Sequence, residues 1–231
     1  MTTVREIRLK SRPSGLPTHE NFETVSVDLR DPGAGEVQVR NLWMTVDPYM
    51  RGRMNDAQSY SAPFELGKAL DGGAVGQVIA SNDPAFKVGD LVQSGFGWRE
   101  GFTAPAKAVQ KLDPRGLPPQ TFLGAAGMPG LTAYAGLLRI AALKDGDVVF
   151  VSGGAGAVGS MVCQIAKAKG HRVIASAGGP DKIAFLKSIG VDHAIDYKAE
   201  KDLAAAVLAG APDGIDVYFD NVGGAHLEAA L

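Results

Sequence analysis

The chain has 231 residues, of which 45% are hydrophobic and 21% are charged, and its formal net charge is −2. This composition excludes a disordered chain, and the balanced charge argues against binding to nucleic acid or to an anionic membrane. The chain has one cysteine, Cys163, and four histidines. We therefore expect neither an internal disulfide nor a structural zinc site. The first ten residues have no signal-peptide core and no apolar run approaches ~20 residues, so we expect a cytoplasmic protein.

Before about residue 120 the chain shows short, alternating apolar runs separated by Gly, Pro, Asp and Asn. Many short strands at close spacing predict a β-rich domain, either a sandwich or a partly open barrel. Pro118 and Pro119 mark the expected boundary of this domain. The predicted strands are residues 25–29, 36–40, 76–80, 90–93 and 106–109.

After residue 120 the pattern changes to strands that alternate with helices of about ten residues. This alternation predicts a parallel sheet with helices on its faces. A doubly wound dinucleotide-binding fold has six strands, and only four are encoded here, so we expect the fourth strand to have an open edge. The predicted strands are residues 147–151, 172–176, 193–196 and 215–219, and the predicted helices are 157–169, 181–189, 200–209 and 225–231.

The residues that join the first of these strands to the first helix fit the pattern G-x-G-x-x-G. We expect Gly154 to form the tight turn, Gly156 to let the backbone approach a pyrophosphate, and Gly159 to let the helix pack close to the strand. The N–H groups at the start of the helix would then face the anion. The alternative is a tight turn that binds no ligand.

The segment after the second predicted strand indicates which dinucleotide is bound. NAD sites place an acidic residue at that strand end to hold the ribose, and residues 174–180 contain none. Lys182 follows, and its ammonium group would attract a 2′-phosphate, which favours NADP. Asp181 is expected to cap the helix instead. The alternative for Lys182 is a solvated surface lysine.

Four motifs occur together in this order: residues 46–54, 127–134, 154–159 and 220–224. In this combination the chain closely resembles the medium-chain dehydrogenase/reductase superfamily. The nearest branch is that of the zinc-independent alkenal/one oxidoreductases, which includes prostaglandin reductases, plant double-bond reductases and curcumin-reductase-like enzymes. The resemblance implies a GroES-like substrate domain over residues 1–120 and a Rossmann domain for NADP, incomplete, over residues 121–231.

The same resemblance implies NADPH-dependent reduction of the carbon–carbon double bond of α,β-unsaturated ketones or aldehydes. Tyr49 would line the substrate pocket and is the candidate catalytic residue, although a packed aromatic in a turn is the alternative. Lys182 and Tyr197 would face the 2′-phosphate and ribose of the cofactor. Asn221 would lie near the ribose and nicotinamide, and Met128 and Thr132 would lie near the nicotinamide. The implied cofactor-binding residues are Gly154, Gly156, Ala157, Val158, Gly159, Lys182, Tyr197, Asn221, Met128 and Thr132.

Two departures from the superfamily affect these expectations. Residues 44–46 and 70–73 hold neither the cysteine nor the histidine that zinc-dependent relatives need, so no metal is expected. The active-site tyrosine of the family would lie beyond Leu231. A quinone reductase and a non-catalytic NADPH-binding fragment therefore stay open as alternatives. The expected partner is a small enone or enal, and a homodimer is expected only with the full family domain.

Overall fold

The computed structural model describes residues 2–231, which divide into two compact units. The first unit ends at Leu123 and the second begins at Gly124. The predicted α/β class is confirmed, because the first unit is built on antiparallel strands and the second on a parallel sheet with helices. None of the helices within residues 2–231 is long and apolar enough to cross a membrane.

The first unit contains seven strands and one short helix. These elements are β1 (Thr2–Leu9), β2 (Phe22–Leu29), β3 (Glu36–Met44), α1 (Tyr49–Arg53), β4 (Ala74–Ser81), β5 (Leu91–Ser94), β6 (Gly101–Pro105) and β7 (Val109–Lys111). β1 pairs with β2, and the other five strands form an antiparallel sheet in the order β6-β3-β4-β5-β7. Alternate residues such as Val37, Val39 and Val78 point to one side and form a core with Val92 and Phe102.

Two features of this unit differ from the sequence prediction. The predicted strand at 106–109 is wrong, because Ala106–Ala108 forms a 3-10 turn and β7 starts only at Val109. Pro105 ends β6, and since proline has no N–H to donate to a ladder, the chain turns before it re-enters the sheet. β1 and β6 were not predicted; β1 gains its place by pairing along its whole length with β2.

The second unit contains four parallel strands in the order β10-β9-β8-β11 and five α-helices. β8 therefore lies between β9 and β11. The chain adds β9 and β10 on one side of β8 and then β11 on the other, so the strand order reverses at β8, as at the ligand crevice of a doubly wound sheet. β11 lies at one edge. The elements are α2 (Met128–Ala135), β8 (Val148–Val151), α3 (Ala157–Ala168), β9 (Arg172–Ala177), α4 (Pro180–Ser188), β10 (His193–Asp196), α5 (Leu203–Gly210), β11 (Val217–Phe219) and α6 (Ala225–Ala230).

Both faces of the parallel sheet are buried, which explains the continuous apolar run of β8. Val149 and Val151 pack on one face with Val162 of α3 and Leu186 of α4. Phe150 points to the opposite face, where it shares a core with residues of β9, β10 and α5. The four strands and the helices α3 to α6 are the elements that the alternating pattern predicts, whereas α2, which also packs on the sheet through Ala133, was not predicted.

The start of α4 corrects one expectation about its cap. Asp181 is not the N-cap: Gly179 occupies that position with a φ of 96°, and Pro180 is the first helical residue. Proline suits this position because its fixed φ is helical and its missing N–H would have no partner there. Asp181 lies in the first turn, where its negative charge is favourable beside the helix N-terminus.

Candidate cofactor site

The turn between β8 and α3 is the centre of the candidate site. Gly156 is the N-cap of α3, with extended backbone angles and no side-chain hydrogen bond. The N–H groups of the next residues, Ala157, Val158 and Gly159, therefore begin the helix without an intrahelical acceptor. The Gly154 N–H donates to the carbonyl of Ser176 at 2.9 Å, which ties the turn to the end of β9. The turn presents a helix N-terminus with the dipole direction that favours an anion.

The glycines of this turn are required by close packing. A Cβ at Gly159 would lie 2.4 Å from the carbonyl oxygen of Gly153, so only glycine lets α3 approach the turn, as predicted. Gly154 lies in the turn, as expected, and the residue of the turn with a left-handed backbone is its neighbour Gly153, with a φ of 60°. Gly154 instead faces β9, where a Cβ would lie 2.7 Å from the Cβ of Ala175. Gly156 is exposed and leaves the backbone open to a ligand.

The loop after β11 folds back onto the end of β8. The side-chain amide of Asn221 donates to the carbonyl of Ser152 at 2.9 Å, and its backbone N–H donates to the Ser152 hydroxyl, also at 2.9 Å. Asn221 is exposed beyond these bonds. The residues that follow β8 and β11 thus form one connected surface, made of the glycine turn and the Asn221 loop.

Asp220 organises that loop through one carboxylate oxygen. Its Oδ1 accepts hydrogen bonds from the Tyr218 hydroxyl at 2.7 Å and from the backbone N–H groups of Val222 and Gly223 at 2.9 and 2.7 Å. Burial works against the charge, but these bonds hold the pKa of Asp220 below its ordinary value. Burial raises the pKa of Tyr218 to about 12, so its hydroxyl stays a donor. Asp220 is ionised at neutral pH and fixes the loop that carries Asn221.

The predicted adenosine end lies where β9 and β10 stop side by side. Ala177 and Asp196 are the last paired residues, and Tyr197 follows directly. The Tyr197 ring is 40% exposed and meets the ring of His226 edge to face, with centroids 5.1 Å apart. Lys182 is exposed on the first turn of α4 and makes no ion pair within residues 2–231. Its ammonium group is available to a ligand.

Met128 and Thr132 share one face of α2, four residues apart. Both are exposed, whereas Ala133 on the other side is fully buried in the core beneath the sheet. α2 packs along α3. Gly130 allows this helix to start tightly, because a Cβ there would lie 1.9 Å from the carbonyl oxygen of Ala125. The proximity of Met128 and Thr132 to a nicotinamide stays a prediction.

Tyr49 belongs to the first unit, where it opens α1. Met50 anchors the helix in a small core, and Arg53 lies over the Phe64 ring with 4.0 Å to the centroid. The Tyr49 side chain stays on the surface, 37% exposed. Partial burial and then the charge of Asp47 raise its pKa, so the Tyr49 hydroxyl is protonated at neutral pH. It is available as a hydrogen-bond donor.

The residues present fit a dinucleotide and show no ligand set for a metal. The exposed backbone of Gly156 and the uncapped start of α3 suit the close approach of a pyrophosphate, and Gly159 lets α3 pack tightly against the turn. Within residues 2–231 no group of three His, Cys, Asp or Glu side chains lies close enough to hold a metal ion. Sequence reasoning missed the roles of Ser152, Tyr218 and Asp220. Of these three residues, only Asp220 had a signal in the sequence, because it is the first residue of the motif at 220–224.

Comparisons with known proteins are consistent with this site. Residues 5–112 match the family described as the N-terminal domain of oxidoreductase, and residues 157–231 match the family described as zinc-binding dehydrogenase. A 2-alkenal reductase (NADP(+)-dependent) of Nicotiana tabacum is 42% identical over 98% of this chain and 68% of its own length. An NADPH-dependent curcumin reductase of Escherichia coli is 41% identical over 96% of this chain and 65% of its own length.

A similar structure is also known. The crystal structure of CurA in complex with NADPH from Vibrio vulnificus matches with a TM-score of 0.91 and 45% sequence identity. The match covers 98% of this chain and 67% of that one. This chain thus spans about two thirds of the length of the proteins it matches.

Proposed function

This chain belongs to the medium-chain dehydrogenase/reductase superfamily, and on that premise we propose that it uses NADPH to reduce the double bond of α,β-unsaturated ketones or aldehydes. The observation that carries the proposal is the glycine turn between β8 and α3, with open N–H groups at the start of a helix. The names of its relatives support the substrate class, since they are a 2-alkenal reductase and a curcumin reductase. The relative from Vibrio vulnificus was crystallised with NADPH.

The second unit would hold the cofactor, which supplies a hydride when it is bound. The N–H groups of Ala157, Val158 and Gly159 would bind the pyrophosphate. Lys182 and Tyr197 would hold the 2′-phosphate end, and Asn221 would orient the ribose and nicotinamide. In this proposal residues 121–231 are an incomplete NADP-binding domain, and Met128 and Thr132 lie on the nicotinamide side.

The first unit, as the substrate domain over residues 1–120, would bind the acceptor. Transfer of hydride to the β-carbon develops negative charge on the carbonyl oxygen, and a donor placed there stabilises the transition state. The Tyr49 hydroxyl is the candidate donor, supported by its exposure and by its raised pKa. The α-carbon then takes a proton from solvent or from a hydroxyl.

The proposal is tested first by binding. The 231-residue chain is titrated with NADPH and with NADH while the cofactor fluorescence is followed. We expect saturable binding that is tighter for NADPH, because Lys182 would attract the additional phosphate. Binding of neither cofactor, or equal affinity for both, contradicts the proposal for this chain.

The acceptor is tested by turnover on a matched pair of substrates. An alkenal or enone and a quinone are supplied with NADPH, and NADPH consumption is measured for each. Faster consumption with the enone supports the proposal, whereas faster consumption with the quinone favours quinone reduction. NADPH binding without turnover of either would assign the chain a binding role only.

The compartment proposed for this activity is the cytoplasm. The proposed partner is a small-molecule enone or enal. The lone cysteine, Cys163, supports a reduced compartment because it is buried and unpaired in the described residues. A homodimer is proposed only for a chain that carries the full family domain. Size-exclusion chromatography of this chain and of a full-length relative would test that proposal.

A further inference from the structure

The ends of β9 and β10 bring a second lysine to the predicted phosphate site. Gly178 follows β9, and Tyr197 and Lys198 follow β10. A methyl group built on Gly178 would lie 2.8 Å from Cε of Lys198 and 3.0 Å from the Tyr197 hydroxyl. Both side chains therefore lie directly over the backbone of Gly178, in space that any other residue at this position would fill.

The Asp196 side chain holds this arrangement by accepting hydrogen bonds from backbone N–H groups of both loops. Its Oδ1 accepts from the Gly179 N–H at 3.0 Å and from the Lys198 N–H at 3.1 Å. One carboxylate oxygen thus connects the loop after β9 to the loop after β10. These two hydrogen bonds from the backbone to the Asp196 carboxylate fix the distance between Gly179 and Lys198.

The Lys198 ammonium group forms no ion pair and no hydrogen bond within residues 2–231, and neither does that of Lys182. Lys167 and Lys111, by contrast, each reach a carboxylate: Lys167 reaches Asp192 at 2.8 Å, and Lys111 reaches Asp90 at 2.6 Å. Two lysines near the loop after β9 therefore have no acidic partner within residues 2–231: Lys198, which lies over Gly178, and Lys182, on the first turn of α4. Lys198 shares the space over Gly178 with the Tyr197 hydroxyl, and Lys182 follows four residues after Gly178. Cations and a hydroxyl donor are complementary to a dianionic phosphate ester.

We propose that Lys198 is a second specificity-determining residue for the 2′-phosphate of NADPH, placed there by the absence of a side chain at Gly178. This inference rests on the proposed function and extends it, because it divides the NADPH preference between Lys182 and Lys198. Asp196 is the positioning residue that holds Lys198 against the loop.

The test compares dissociation constants for NADPH and NADH in the parent chain, in Lys198→Gln and in the control Lys201→Gln. Lys201 is an exposed lysine three residues further on, outside the contacts of Gly178. Loss of one charge-assisted contact at an exposed site should weaken NADPH binding about tenfold in Lys198→Gln and leave NADH binding unchanged. The dependence of NADPH affinity on salt should also become weaker, because one fewer cation contacts the phosphate. Lys201→Gln should match the parent chain.

A second variant tests the role of Gly178. Gly178→Ala should displace Lys198 and Tyr197, and its backbone angles do not require glycine. We expect NADPH affinity to fall in Gly178→Ala, and the Lys198→Gln change to add little in the double variant, since both remove the same contact. Unchanged melting temperatures would show that these variants are folded.

The outcomes separate this inference from the proposed function. A parent chain that prefers NADPH, together with a Lys198→Gln variant of unchanged preference, overturns the inference and leaves the proposed function standing. A parent chain without preference for NADPH overturns both. An equal loss of NADPH and NADH affinity in Lys198→Gln also overturns the inference, because it would show a structural effect on the whole site.

Discussion

The charge of Lys182 is expected to account for part of the preference between the two cofactors. Replacing it in Lys182→Ala should lower the ratio of NADPH affinity to NADH affinity about tenfold, because an exposed cation contributes modestly to binding a phosphate. Fluorescence titration with each cofactor measures this ratio. Lys187→Ala is the matched control, since Lys187 is an exposed lysine in the last turn of the same helix. If the ratio stays the same in Lys182→Ala, Lys182 does not bind the 2′-phosphate.

The role proposed for Tyr49 is tested by removing its hydroxyl. Tyr49→Phe removes one donor and keeps the ring, so kcat/KM for an enone should fall about tenfold or more while NADPH affinity is unchanged. Steady-state kinetics and cofactor titration measure the two effects separately. Tyr60→Phe is the control, because Tyr60 is a surface tyrosine of the same unit and is 87% exposed. Enone kinetics that stay at the parent value would remove Tyr49 from the proposed mechanism.

At the scale of elements, the close approach of α3 to the turn after β8 depends on Gly159. In Gly159→Ala the new methyl group would meet the backbone of Gly153, which cannot rotate away as a side chain would. We expect the free energy of unfolding to fall by about 1–3 kcal/mol, as in other overpacked sites, and NADPH binding to weaken with it. Urea denaturation gives the first quantity and fluorescence titration the second.

Gly95→Ala provides the control for this prediction. A Cβ at Gly95 would meet nothing within 4 Å, and its backbone angles suit other residues. Its stability and cofactor binding should equal those of the parent chain. Equal stability of Gly159→Ala and Gly95→Ala would mean that α3 has room to move, contrary to the packing seen here.

At the scale of the whole molecule, His226 links stability to pH. It is buried, with 6% of its surface exposed, and its Nε2 has no hydrogen-bond partner in residues 2–231. Burial lowers its pKa below the ordinary 6.5, although the charge of Asp220 opposes the shift. As the pH falls below that value, the unfolded chain takes up the proton before the folded chain does. The free energy of unfolding must therefore decrease.

The variant His226→Leu should reduce this loss of stability between about pH 7 and pH 5. Urea midpoints measured across that range provide the comparison. His19→Gln, at an exposed histidine, is the control and should keep the slope of the parent chain. A His226→Leu slope equal to that of the parent would show that other groups cause the acid sensitivity.

Local pattern was sufficient to predict much of the second unit. The apolar run of β8 and the stripe of α3 each lie within about a dozen neighbouring residues, so their period is visible in the sequence. The first unit was less predictable from the sequence. β1 is a strand because it pairs with β2, and residues 106–108 leave the sheet because of Pro105.

The sequence by itself determined the class of fold, the position of the glycine turn and the residue types offered to a dinucleotide. These depend on period and on contacts between near neighbours. Tertiary structure alone decided which distant groups meet: Ser152 with Asn221, and Gly178 with Lys198. The members of each pair follow separate strands that only the ordering of the sheet brings side by side, and no local propensity encodes that order.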